Sequence, residues 1–312
     1  MSLSPTYPMI SRAIEAGSMD MLRHATSEGE SLKEFEKQQG KSAIGEMVIA
    51  SIRKNTDPPI VSEMLRMGAN PNAPCGNGLS PLVFIIIRWP GERVGLTEAI
   101  LSLLCAGANV DEPVSAEISE LGWKPQAMVA RSYPLSLAIQ MGLHAPVEAL
   151  ILAGAPVDGP TGEDFLSPLS IAAFWKEESL AALLLACGAN ARHQNFDGKT
   201  ALHFCWDRAT AQMLIDHGAL VSQKDHAGGT PLHEWTARAN DLETIEWLAA
   251  LAPMDRYEAN VRGRTPLDTL SERFDRDTIN TSWVGVLLAS WRADMLQGQT
   301  GQAQGGGACG RL

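Results

Sequence analysis

Asp225-His226-Ala227-Gly228-Gly229-Thr230-Pro231-Leu232-His233 decides the fold, because its parts return along the chain at nearly regular intervals. Its centre, Gly229-Thr230-Pro231-Leu232-His233, has close copies at Gly198-Lys199-Thr200-Ala201-Leu202-His203 and Gly263-Arg264-Thr265-Pro266-Leu267. Shorter copies stand at Leu79-Ser80-Pro81-Leu82, Tyr133-Pro134-Leu135 and Ser167-Pro168-Leu169, a degenerate one at Gly40-Lys41-Ser42-Ala43, and Pro8 opens a degenerate first repeat. The Pro or Ala anchors fall at positions 8, 43, 81, 134, 168, 201, 231 and 266, mostly 30 to 38 residues apart with one interval of 53. A second landmark follows in fixed order: Met67-Gly68-Ala69-Asn70, Ala106-Gly107-Ala108-Asn109, Ala153-Gly154-Ala155, Cys187-Gly188-Ala189-Asn190 and His217-Gly218-Ala219. Self-similarity at this period is the signature of a stacked repeat.

Each landmark has a mechanical reason. Thr or Ser caps a helix whose first residue is Pro, which has no amide hydrogen to leave unpaired. The Gly of Gly-Ala ends a second helix where a left-handed turn is wanted. Between them, Leu180, Leu183, Leu184 and Leu185, and again Leu242, Ile245 and Leu248, place apolar groups at helical spacing. Each repeat is then two short antiparallel helices and a loop. So small a pair cannot bury its own apolar faces, so neighbours must stack.

These residues resemble the ankyrin repeat, roughly Asp-x-x-Gly-x-Thr-Pro-Leu-His, then Ala-Ala, then Leu-Leu-x-x-Gly-Ala. Asp225 to His233 fills every fixed position of the opening phrase. The match is strongest over about residues 160 to 270, weaker over 40 to 160 and slight before 40. The resemblance implies an all-α ankyrin-repeat solenoid of stacked helix-turn-helix repeats with loop or hairpin tips, about seven to eight repeats with degenerate caps. It also implies a concave binding face made by loop tips and first helices. The expected layout is one repeat domain over 1–296, with a degenerate N-terminal repeat at 1–40 and a capping helix at 278–296. An insertion at 112–131, which includes Glu117, Glu120, Trp123, Lys124 and Pro125, interrupts it, and a Gly- and Gln-rich disordered tail at 297–312 follows. The interval from 201 to 218 is short, which predicts a tightened inter-helix turn. The intervals 43–68 and 81–107 are long, which predicts lengthened turns near Asn55 to Pro59 and Trp89 to Gly91.

Composition narrows the function classes. With 312 residues and 45% apolar content the chain is long and apolar enough to fold. A formal charge of −11 disfavours general nucleic-acid binding, which is driven by clustered Lys and Arg. The five cysteines are odd in number and form no CxxC pair, so free thiols in a reducing, cytoplasmic compartment are expected. No conventional signal peptide or membrane span is legible, although delivery into a host cell by another signal stays open. Asn280-Thr281-Ser282 is a sequon that matters only on a secretory route.

Seven histidines invite a metal or catalytic reading. His233-Glu234 begins like a zinc-protease helix, but the second histidine would fall at Ala237. His203 and His233 occupy the histidine of the repeat phrase, where an imidazole bridges adjacent repeats. Cys187 and Cys205 lack paired-ligand spacing, so they are expected to be buried thiols without a metal. No phosphate-binding glycine loop or nucleophile elbow is present. No catalytic residue, cofactor or metal site is therefore expected.

The resemblance places the variable residues at loop tips and at the ends of first helices. In the last three repeats these include Phe196, Asp197, Lys199, Asp207, Arg208, Lys224, His226, Arg238, Val261, Arg262, Arg264, Glu272 and Arg273, a net basic strip on an acidic chain. Upstream stand Arg88, Phe174 and Trp175, with Trp89 adjacent. Arg and Trp are the residue types that most often dominate interfaces. The expectation is a monomeric adaptor, effector, inhibitor or antidote that binds another protein, through an acidic, partly apolar segment, and neither nucleic acid nor membrane. An enzyme or regulator with an atypical site in the 112–131 insertion, and a passive scaffold, remain the alternatives.

Overall fold

The computed structural model describes residues 7–54, 58–75, 78–89, 95–112, 133–159, 166–238, 242–273, 285 and 288–293. All eight repeat anchors become the first residue of a helix. These first helices are α1 (Pro8–Ala16), α4 (Ala43–Lys54), α6 (Pro81–Arg88), α8 (Pro134–Gln140), α10 (Pro168–Trp175), α12 (Ala201–Phe204), α14 (Pro231–Arg238) and α16 (Pro266–Arg273). The helices that follow them are α2 (Met19–Ser27), α5 (Val61–Arg66), α7 (Leu96–Cys105), α9 (His144–Leu152), α11 (Glu178–Ala186), α13 (Arg208–Asp216) and α15 (Leu242–Leu251). An additional helix, α3 (Leu32–Gln39), precedes α4, and a 3-10 turn, Pro253–Tyr257, follows α15. The 113–131 part of the insertion, the sequon, most of the expected capping helix and the tail lie outside the described residues.

The chain divides into two compact units, Met1–Pro168 and Leu169–Leu312. In the first, α1, α4, α6 and α8 pack in succession, and α5, α7 and α9 form a second row. Leu82, Ile85, Ile86, Ile100 and Leu103 are buried between the rows. In the second, α12, α14 and α16 make one row and α11 packs on α13. Leu202, Leu214, Leu232, Trp235, Leu248 and Leu270 fill its interior. Each such side chain stabilises by roughly 1.5–3 kcal/mol on leaving water, which a lone hairpin cannot collect.

The second landmark closes the second helices as the sequence requires. Gly188 and Gly218 have φ of 89° and 92°, and the Ala189 and Ala219 amides reach back to the carbonyls of Leu184 and Leu214 at 3.0 and 2.9 Å. That left-handed step pairs helix-end carbonyls that would otherwise lose their partners. The same geometry is used at Gly17 and Gly142 between helices, but Lys176 takes the position after α10 with φ 59°.

Two expectations change. The short interval after Ala201 is absorbed by the first helix: α12 has only four residues, and Cys205 leaves it with extended backbone. Trp235 repairs that end, since its Nε1–H donates to the Leu202 carbonyl at 3.1 Å from the next repeat. The long interval after Ala43 goes partly into helix, because α4 runs for twelve residues. Its N-terminus is closed from α3 by the buried Glu36, whose Oε1 accepts the Ala43 amide at 2.8 Å and whose Oε2 accepts that of Asn70 at 2.7 Å.

Candidate functional site

Three tips in the second unit are built alike. Asn195, Asp225 and Asn260 each accept a backbone amide from residue 199, 229 or 264, and those residues' carbonyls accept the amides of 195, 225 and 260 in return. Short Asx side chains can replace a backbone acceptor in a tight turn, which is why these positions are Asn or Asp. The tips then join through backbone: the His226 amide donates to the Asp197 carbonyl and the Val261 amide to the Ala227 carbonyl, both at 2.8 Å. Gly198 permits this approach, because a Cβ there would meet His226 at 2.7 Å.

Behind the tips the two histidines bridge repeats. Thr200 N–H and Thr230 N–H donate to Nδ1 of His203 and His233, at 3.1 Å each. With Nδ1 accepting, the ring proton sits on Nε2, which faces the carbonyls of Gly229 and Arg264 at 3.4 and 3.2 Å. Burial disfavours the imidazolium, lowering His203 to about 4 and His233 below its ordinary value. Both rings are thus neutral structural bridges. Asp268 replaces the histidine in the last repeat and accepts the Thr265 amide at 2.9 Å.

Between the tips and α14 and α16 lies a groove of about 770 Å³. Lys199, His226, Arg238, Arg262 and Arg264 line it, together with Asp197, Glu234 and Val261. Five of the expected partner-binding residues therefore meet on one surface. Its charge is more balanced than the strip read from the sequence. Glu234 Oε1 lies 2.5 Å from Lys199 Nζ and its Oε2 lies 3.5 Å from Arg238 Nε. Arg264 is 2.5 Å from Glu272. Glu234 was the signal missed: it stands 35 positions after Lys199, one repeat period, so reading charges at that period finds the pair.

The other expected residues fall elsewhere. Lys224 pairs with Glu258 at 2.6 Å. Arg208 is the first residue of α13, not the end of a first helix, because α12 is cut short and Asp207 caps α13 by accepting the Thr210 amide. Its guanidinium sits 5.1 Å from the Trp247 ring centre. Arg273 ends α16 and its Nη1 lies 3.4 Å from the Thr236 carbonyl. Phe196 is 74% exposed at its tip. Phe174 contacts Trp175 and Trp206 edge-on, with centroids 5.5 and 6.4 Å apart, and Arg238 lies 5.7 Å from the Trp206 ring. That aromatic row, including Trp206, connects to the groove through Arg238. Arg88 and Trp89 lie at the end of α6, in the first unit.

Cys75 and Cys205 are buried, and burial pushes the Cys75 thiol up to about 12 and Cys205 upward as well. Cys187 is exposed at the end of α11, contrary to the expected burial, because the helix-closing turn faces outward there. Among the described residues no group of three or more His, Cys, Asp or Glu is arranged to hold a metal, and no helix is long and apolar enough to cross a membrane.

Paired helices opening on Pro or Ala, closing on Gly-Ala, and joined through Thr–His bridges and hydrogen-bonded tips define an ankyrin-type helical repeat fold. The chain is similar to an ankyrin repeat protein of fowlpox virus (strain NVSL), 31% identical over 153 residues, 46% of this chain and 45% of the relative. It is likewise similar to an ankyrin repeat-containing protein of Treponema pallidum (strain Nichols), 34% identical over 113 residues, 35% of this chain and 38% of the relative. The chain thus matches less than half the length of either curated relative. No family model matches it. Both relatives support the ankyrin-repeat resemblance read from the sequence.

Proposed function

We propose that this chain is a protein-interaction module that receives a segment of a partner protein in the groove of its second unit. One observation carries this: five side chains, four of them Lys or Arg, converge on a concave surface, while the buried histidines behind them are committed to holding repeats together. The partner segment is acidic and partly apolar. Its acidic part meets the arginines, and its apolar part meets Val261 at the tips and the Trp206 row beyond Arg238. Such a module serves as an adaptor, an effector or an inhibitor that occludes its target, and the fold alone does not choose among these.

The test is capture of a stoichiometric partner from the native source by the full chain, compared with R238E/R262E/R264E. Loss of the partner from the folded triple variant supports the groove. Equal capture by both removes it, and turnover of a small molecule with no protein bound would favour an enzyme instead.

A further inference from the structure

The cations of the groove are not equivalent. Lys199 and Arg238 already share the carboxylate of Glu234, and the Lys199 and Glu234 side chains are each only 20% exposed. At the tip end, and among the described residues, Arg262 makes no ion pair and Arg264 pairs with Glu272 alone, the members of that pair being 52% and 57% exposed. Solvent and salt screen such a pair, whereas the half-enclosed Lys199–Glu234 pair is screened less.

Resting on the groove as the binding face, we propose that Glu234 is a built-in carboxylate that fills the inner cationic site and so sets specificity. A partner segment bearing one acidic residue among apolar ones is accepted, its carboxylate received by Arg262 and Arg264. Segments with acidic groups in succession are rejected, because Glu234 and Asp197 together offset Lys199 and Arg238, and a second anion beside Glu234 meets its like charge with no net positive charge to compensate. Rejection by an existing like charge is a common way to turn general attraction into choice. The exposed Val261 at the tip supplies the apolar contact next to the arginines.

The full-length protein, E234Q and R262E/R264E are each panned against random dodecapeptides displayed on phage. Enriched peptides are then synthesised and their affinities measured by fluorescence anisotropy, with the folding of each variant checked by circular dichroism. Wild type is expected to select peptides with a single Asp or Glu flanked by apolar residues. E234Q is expected to select peptides with a second acidic residue, bound on the order of tenfold more tightly than by wild type. Selection of the same composition by both proteins, or of polyacidic peptides by wild type, overturns the role of Glu234 while leaving the groove intact if R262E/R264E abolishes binding. No enrichment, or peptides that bind R262E/R264E unchanged, removes the groove itself and the inference with it.

Discussion

Acidification should destabilise the second unit through His203, and the size of the effect follows from its surroundings. The imidazole is 1% exposed, accepts the Thr200 amide at Nδ1 and faces the Gly229 carbonyl with Nε2, so a second ring proton would displace the Thr200 amide and leave a buried cation with only the Thr200 hydroxyl, 3.1 Å away, to receive it. Its value falls from 6.5 to about 4. The unfolded chain therefore binds the proton more tightly than the folded one. The stabilisation is complete above about pH 6.5 and is lost as pH falls towards about 4. Between about pH 7.5 and about pH 5 the loss from this one group is about 2 kcal/mol. H203N provides the control, because its amide oxygen can accept the Thr200 amide as Asp268 accepts that of Thr265. The variant gives up the bridge to Gly229 and should be less stable by about 1–2 kcal/mol at neutral pH. It should also lack the 2 kcal/mol loss on acidification, so the two stabilities converge at low pH. Urea titrations followed by tryptophan fluorescence at a series of pH values measure both, since Trp206 and Trp235 report from the same unit. If wild type and H203N lose equal stability over that range, the buried neutral imidazole is not the cause and the bridge geometry is wrong.

Three further outcomes are expected. Replacing Trp235 by Phe leaves the Leu202 carbonyl without the indole that closes the short helix α12 and should cost about 2–3 kcal/mol, measured by urea unfolding; a loss under about 0.5 kcal/mol would mean α12 needs no such support. E36A leaves the Ala43 and Asn70 amides without their shared acceptor and should destabilise the first unit by about 2–4 kcal/mol, with amide exchange accelerated at those two residues. K176G should raise stability by about 1 kcal/mol, because Lys176 alone among described non-glycine residues has positive φ; a lower melting temperature would show that its left-handed backbone is not strained.

The architecture was legible because each landmark residue acts locally. A Pro or Ala at the anchor of the repeat phrase starts a helix and a Gly before Ala ends one whatever the neighbouring repeats contain, so all eight helix starts could be marked from the chain alone. Properties that arise between repeats were harder to see. The shortening of α12 displaced Arg208 onto α13, since the deleted residues came out of the helix and not the turn. The groove was only half legible: five of its lining residues were marked in the sequence, but their charges were counted without the partners one period away. Lys199 with Glu234 and Lys224 with Glu258 are 35 and 34 positions apart, a spacing that becomes meaningful only once the repeats are stacked. The helix α3 carried no repeat landmark, and its purpose emerges only from Glu36 reaching the start of α4.

The same backbone that joins the repeats also places the groove's side chains. His233 bonds to the carbonyl of Arg264, whose amide is held by Asn260, while Asn260 also accepts the amide of Arg262. The Val261 amide between them is tied to the Ala227 carbonyl of the previous tip. Arg262 and Arg264 are therefore long, exposed side chains on a rigid base, with their freedom confined to rotamers. A surface of this kind tolerates changes in its side chains without loss of fold, because the bonds that fix it are made by backbone, Asx oxygens and buried imidazoles. Conversely, a ligand that bridges the tips to α14 adds a link parallel to those bonds and must stabilise the packed state by its affinity for it. Stability and the proposed recognition by the groove would then be two readouts of one set of inter-repeat contacts.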